Sequence, residues 1–132
     1  MSWAPDDDHM VIGNGKTLMI KSIQSNKKNL QWGAHEGLIL ACDWNLSNNL
    51  IVSGGEDCVY KVWDSYGRLL YTSKPMEHFV TSVAWAPNGE HFAVGSYNMI
   101  KLCDKIGRST TYCLHVSLPY QLGLTDCVLL HV

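Results

Sequence analysis

Apolar residues along this chain come in short bursts rather than in helical stripes. Leu50-Ile51-Val52-Ser53-Gly54, Val59-Tyr60-Lys61-Val62-Trp63, Leu69-Leu70-Tyr71-Thr72, Val80 to Trp85 and Phe92-Ala93-Val94-Gly95 are rich in β-branched and aromatic residues. Such residues fill a pleated, half-buried surface, so each burst predicts a strand. Turn formers stand between them: Asn14-Gly15, Gly54-Gly55-Glu56-Asp57, Tyr66-Gly67 and Pro87-Asn88-Gly89. These are the residues that tolerate the dihedrals of a tight reversal, and they predict antiparallel hairpins. Met10-Val11-Ile12 followed by TLMIKSI after Asn14-Gly15 reads as one of them.

The bursts are organised by an internal repeat. Trp3, Trp44 and Trp85 recur at intervals of 41 residues, and Gly13, Gly54 and Gly95 keep the same interval. Trp3-Ala4-Pro5-Asp6 is echoed by Trp85-Ala86-Pro87-Asn88, with His9 matched by His91. About four short antiparallel strands repeated near every forty residues is the signature of a β-propeller blade. The expected fold is therefore all-β, a partial propeller of about three four-stranded blades. Residues 1–33 form a partial first blade, 34–75 a complete blade and 76–108 a degenerate third. In the atypical tail, 109–132, Asp126 stands where the next tryptophan would fall, and no repeat signal continues.

The second period carries a family signature. His35-Glu36-Gly37, Asp43-Trp44, Ser53-Gly54-Gly55-Glu56-Asp57 and Lys61-Val62-Trp63-Asp64 together resemble one complete WD40 repeat. The resemblance implies a structural tetrad of His35, Ser53, Asp57 and Trp63: Trp63 on the third strand, Ser53 on the second, Asp57 in the turn between them, and His35 before the first. An indole N–H, a hydroxyl, an imidazole and a carboxylate can satisfy one another in a chain, and breaking that chain leaves buried polar atoms unpaired. The third copy has Met76 and Val94 at the matching positions, with His78 two residues away, and Lys101-Leu102-Cys103-Asp104 in place of the Trp-Asp segment. Its blade is expected to be held by packing. The stretch from His35 to Asp104 also resembles the amino-terminal propellers of WD-repeat subunits of the intraflagellar transport B complex. That resemblance implies a non-catalytic scaffold for cilium assembly and intraciliary transport. Its partners would be other intraflagellar transport subunits, and its place the cytoplasm, cilium and ciliary base.

Composition narrows the alternatives. With 10 Lys and Arg against 12 Asp and Glu the net charge is −2, which argues against a polybasic nucleic-acid or membrane binder. Lys16, Lys21, Lys27 and Lys28 make only a modest basic cluster without interleaved aromatics. Hydrophobic residues at 46% and charged residues at 17% suit a folded chain. The acidic start and lack of a long apolar run suggest neither a signal peptide nor membrane insertion. The cysteines, Cys42, Cys58, Cys103, Cys113 and Cys127, are odd in number and scattered, which fits a reducing compartment better than disulfides or a zinc knuckle.

Each candidate chemistry has a plainer counterpart. Gly15-Lys16-Thr17 echoes a phosphate-binding loop, but Met10 stands where the rule wants a glycine, and a hairpin fits better. Cys42, Cys58 and Cys103 lie in strand-like surroundings, where cysteine acts as a small hydrophobe rather than the nucleophile of a cysteine-dependent enzyme. Asp6-Asp7-Asp8 offers too few oxygens for calcium and reads as a solvated turn, and Asn45-Leu46-Ser47 is a chance glycosylation triplet. No catalytic, cofactor-binding or metal-binding residue is expected. Propellers close with four to eight blades, so three leave sheet faces and edges open. The sequence thus suggests a shortened form of a longer subunit, prone to self-association, or a fragment of little independent activity that competes with the full-length protein.

Overall fold

A computed structural model describes residues 2–3, 9–22, 29–45, 47–97 and 99–114. The described residues form twelve strands in three separate antiparallel sheets. The first is β1 (Ser2–Trp3), β2 (His9–Asn14), β3 (Thr17–Ser22) and β4 (Leu30–Gly33). The second is β5 (Ile39–Trp44), β6 (Ile51–Gly55), β7 (Tyr60–Trp63) and β8 (Leu69–Thr72). The third is β9 (Val80–Trp85), β10 (His91–Ser96), β11 (Met99–Asp104) and β12 (Ser109–Leu114). In every sheet the spatial order follows the chain, the meander of a propeller blade. The architecture is an all-β partial propeller.

The repeat markers occupy matching places. Trp3, Trp44 and Trp85 end the first strand of each sheet, and Gly13, Gly54 and Gly95 lie on the second. The glycines are there for close approach. A Cβ on Gly13 would lie 2.8 Å from Cγ2 of Ile39 in the second sheet, and one on Gly54 would run into Val80 of the third. A side chain at either position would push the sheets apart.

Two apolar layers hold the stack together. Val11, Leu18 and Ile20 of the first sheet pack against Trp44, Ile51 and Trp63 of the second. Val52, Tyr60 and Val62, on the opposite face of the second sheet, pack against Val80, Phe92, Val94 and Cys103 of the third. Alternation along β6 and β7 thus sends one set of side chains to each neighbour, which is why β6 is buried at every position.

Three local expectations are revised. Gly54 and Gly55, read as part of a turn, belong to β6, and the reversal is made by residues 56–58. A Cβ on Gly55 would strike the backbone carbonyl of Leu38, so this glycine too answers a close approach. Cys58, read as a strand residue, sits in that reversal with φ of 68°. The segment assigned to the tail opens with a strand: β12 pairs with β11 from Ser109 to Leu114 and supplies the third sheet with its outer edge. Thr110, Thr111 and Tyr112 are good strand formers, and a search keyed to tryptophan and glycine spacing passes over them. Asp6-Asp7-Asp8, Lys27, Lys28 and Cys127 lie outside the described residues.

Candidate functional site

The four residues singled out in the second period meet in one place. β6 presents Ser53 and β7 presents Trp63 on the face turned to the first sheet, while the segment entering β5 brings His35 over them. Trp63 Nε1–H donates to Ser53 Oγ at 2.9 Å. His35 Nε2 lies 2.7 Å from Ser53 Oγ, and His35 Nδ1 lies 2.9 and 3.1 Å from the two Asp57 oxygens. A neutral imidazole carrying its proton on Nδ1 fits all of these: indole to hydroxyl, hydroxyl to Nε2, Nδ1–H to carboxylate. Asp57 also accepts from the backbone N–H of Glu36 at 3.1 Å. Gly37 permits this, because a Cβ there would lie 2.8 Å from the Asp57 nitrogen. Burial holds the His35 pKa below its ordinary value, and the hydrogen bond to Asp57 opposes that only in part. Ser53 is fully buried and His35 nearly so. No substrate could reach this group without unpacking the sheets, so its chemistry is that of a latch.

Among the described residues the third sheet carries no such latch. Val94 and Cys103, both fully buried, take the places matching Ser53 and Trp63 and pack against the second sheet. Polar bonds between these two sheets come from elsewhere. Trp85 donates through its backbone N–H to Asp43 Oδ2 at 2.8 Å and through Nε1–H to the Asp43 carbonyl at 3.2 Å. Asn45, Ser47 and Asn48 donate to the carbonyls of Ala86, Pro87 and Gly89. Tyr60 donates to the Gly107 carbonyl at 2.8 Å, and the Cys103 thiol donates to the Tyr60 oxygen at 3.3 Å. These clasps were missed in the sequence, although the Asn45 to Asn48 run and Pro87-Asn88-Gly89 lie one period apart and could have flagged them. Asn45, the acceptor of the chance glycosylation triplet, is buried and spends its amide on this clasp.

The other candidate chemistries resolve into structure as well. Gly15-Lys16 is a tight β2–β3 turn with Gly15 at φ of 63°. Its carbonyls receive the chain entering the second sheet: Gly15 O accepts from Ile39 N, and Lys16 O from Ala34 and His35 N. Burial raises the Cys42 thiol pKa, and it pushes Cys103 up to about 11, so neither is the thiolate that nucleophilic catalysis requires. Among the described residues no group of His, Cys, Asp and Glu is placed to hold a metal ion. No helix among them is long and apolar enough to cross a membrane.

Among the described residues, exposed aromatic and aliphatic side chains gather on the rim. His78, Phe79 and Tyr97 gather where β8 passes into β9 and β10 into β11, with the His78 and Tyr97 rings edge to face at 5.1 Å. Phe79 is 49% exposed and Tyr97 66%. Leu69 and Leu70 are exposed on outer strand β8.

The repeat family described as "WD domain, G-beta repeat" matches residues 26–64 and 67–104. The chain belongs to the WD40 repeat family. It is also 60% identical over 109 residues to the intraflagellar transport protein 80 homologs of Rattus norvegicus and Mus musculus. Those 109 residues are 83% of this chain and 14% of either relative, so the chain spans about a seventh of the curated relatives it matches. Among solved structures, that titled "Structure of U3-55K" superposes with a TM-score of 0.80 at 14% identity. It covers 87% of this chain and 38% of its own, a likeness of fold alone.

Proposed function

We propose that the chain is a non-catalytic protein–protein interaction scaffold of intraflagellar transport. It would serve cilium assembly and intraciliary transport from the cytoplasm, ciliary base and cilium. The likeness to the intraflagellar transport protein 80 homologs carries the reading, since identity of 60% extends over the greater part of the chain. The geometry supports it. The polar residues that sequence alone would nominate for chemistry are spent on latching sheets, while exposed aromatic and aliphatic side chains lie on the rim. Rigid blades that display loops and edges bind other proteins.

The partners would be other subunits of the transport complex. Affinity capture of the tagged chain from ciliated cells, followed by mass spectrometry, tests this. Recovery of those subunits above the level captured by a Trp63→Ala variant, whose second sheet is loosened, is the expected result. Equal recovery, or none, would overturn it and leave an inert fragment.

A further inference from the structure

The dipeptide Asn-Gly occurs twice in the chain, at Asn14-Gly15 and Asn88-Gly89. Because glycine carries no side chain to hinder its nitrogen, this is the pair in which the backbone nitrogen most readily attacks the preceding side-chain amide. Whether it does so depends on what holds the two groups, and the two turns differ. At Asn88 both are held. Asn88 Oδ1 accepts from Glu90 N at 3.0 Å, and Gly89 N donates to the Ala86 carbonyl at 2.9 Å. Gly89 is buried against the second sheet: a Cβ there would lie 2.7 Å from Asn45 Oδ1, and its carbonyl accepts from Asn48 Nδ2 at 2.7 Å. That clasp has to open before a ring can close. At Asn14 neither group is held. Asn14 is the exposed last residue of β2, Gly15 and Lys16 are exposed beside it, and a Cβ on Gly15 would meet nothing within 4 Å among the described residues. Among those residues no group hydrogen-bonds the Asn14 side chain or accepts from Gly15 N. Ring closure requires Asn14 to leave the extended conformation, which opens one rung at the hairpin tip, Asn14 with Thr17. The next rung, Gly13 with Leu18, stays closed and keeps Leu18 in its apolar layer.

We propose that Asn14 is a site of self-modification, where the chain converts its own asparagine to isoaspartate and so weakens the hold of the first sheet on the second. Gly15 N bonds to Asn14 Cγ, the bond from Cγ to Nδ2 breaks, and ammonia leaves with the proton that Gly15 N gives up. Water then opens the cyclic imide. Cleavage between the nitrogen and Cγ gives aspartate. Cleavage between the nitrogen and the main-chain carbonyl carbon gives isoaspartate, whose backbone runs through the former side chain and is longer by a methylene. The added length falls where the second sheet is anchored. Gly15 O accepts from Ile39 N at 2.8 Å, and Lys16 O accepts from Ala34 N at 2.9 Å and His35 N at 3.1 Å. These bonds place the segment entering β5 and with it His35, whose Nε2 lies 2.7 Å from Ser53 Oγ. A longer turn draws its carbonyls away from those donors and loosens the latch from outside.

Ageing the purified full chain at pH 7.5, with peptide mass spectrometry at intervals, tests the site. Fragmentation across position 14 tells isoaspartate from aspartate. In the folded chain Asn14 is expected to convert at least about tenfold faster than Asn88, because only Asn88 must first lose its clasp, and in urea the two rates converge. Amide exchange over Ile39–Trp44 is then faster in aged wild type than in an Asn14→Ser variant aged beside it. Fresh Asn14→Asp, which gains the charge without the methylene, exchanges as fresh wild type does. Three results would overturn the proposal. They are equal or reversed rates at Asn14 and Asn88 in the folded chain, no conversion at Asn14 in the time a free peptide spanning Met10–Ile20 converts fully, and isoaspartate at position 14 with exchange over Ile39–Trp44 unchanged. The first two would show that the hairpin tip holds Asn14 as firmly as the clasp holds Asn88, and the third that the turn does not anchor the latch.

Discussion

Ser53 shows what a single atom carries here. Its hydroxyl accepts from Trp63 and donates to His35 in a site closed to water. Ser53→Ala removes both bonds and leaves an indole N–H and an imidazole nitrogen buried without partners, a loss of about 1–3 kcal/mol. Trp63→Ala also removes a ring packed at 5.6 Å against Trp32, and it costs about 3–5 kcal/mol. His78→Ala changes an exposed side chain and stays within about 0.5 kcal/mol of wild type. Urea denaturation of the three variants checks this order, and equal costs would sink the latch assignment. His35 adds a pH dependence. Its folded pKa lies below the unfolded value, so below about pH 6.5 the unfolded chain binds a proton that the folded chain refuses. The stability it contributes is complete above that pH and drains away as pH falls through the window beneath it. The urea midpoint of wild type is expected to fall more than that of His35→Gln between pH 7.5 and pH 5.5; parallel falls would show that His35 is charged in the fold. His35, Ser53, Asp57 and Trp63 could be found in the sequence through the resemblance to a WD40 repeat, whose motif sets these residue types at fixed spacing. Asp43 and Tyr60 could not, since the Asp43 carboxylate accepts from a backbone N–H of the neighbouring sheet and the Tyr60 hydroxyl donates to a backbone carbonyl there, groups that any residue supplies.

Among the elements, hairpins show how much a glycine's role depends on what faces it. Asp64 and Asp104 each close a turn in the same way. Oδ1 accepts from backbone N–H groups including that of the arginine four residues on, and Oδ2 accepts from its Nε. Burial pulls both carboxyl pKa values up, but those hydrogen bonds outweigh it and leave them lowered. The glycine inside each turn lies under an aromatic ring of the preceding sheet, Gly67 under Trp32 and Gly107 under Tyr71. Gly67 has φ of 84°, and a Cβ there would stand 2.9 Å from the Trp32 ring. Gly15 has φ of 63° with nothing within 4 Å. Gly15→Ala therefore costs only the conformational strain, about 1–2 kcal/mol, while Gly67→Ala adds the displacement of a ring and costs more. Thermal unfolding of the two variants measures the difference; matching melting temperatures would mean that Trp32 yields freely. Composition marks both residues as turn glycines, but only packing between sheets separates them. The same blindness put Gly54 and Gly55 in a turn and left β12 in the tail. Strand pattern reports a residue's own sheet, and what presses on that sheet from outside leaves little trace in it.

At the scale of the whole molecule the described sheets form a stack in which the first packs on the second and the second on the third, so that the middle one is covered on both faces. Stability in such an array is a sum of sheet and interface contributions, and the interfaces decide which sheet opens first. β6 and β7 lie between two apolar layers, whereas β4 and β8 are outer strands with mostly exposed side chains. Hydrogen exchange is therefore expected to be slowest over Ile51–Gly55 and Tyr60–Trp63 and fastest over Leu30–Gly33 and Leu69–Thr72. Gly54→Val separates the two interfaces. Its side chain would occupy the space of Val80, so β9 must move off the second sheet and expose Val52, Tyr60 and Val62. The first interface is untouched, because the His35, Ser53, Trp63 and Asp57 latch faces the other way. Exchange over Val80–Trp85 and His91–Ser96 should then rise sharply while that over Val11 to Ile20 holds. If exchange rose evenly through all three sheets, the stack would be one cooperative unit, and the sheet interfaces would not be the seams that the glycine repeat marks out.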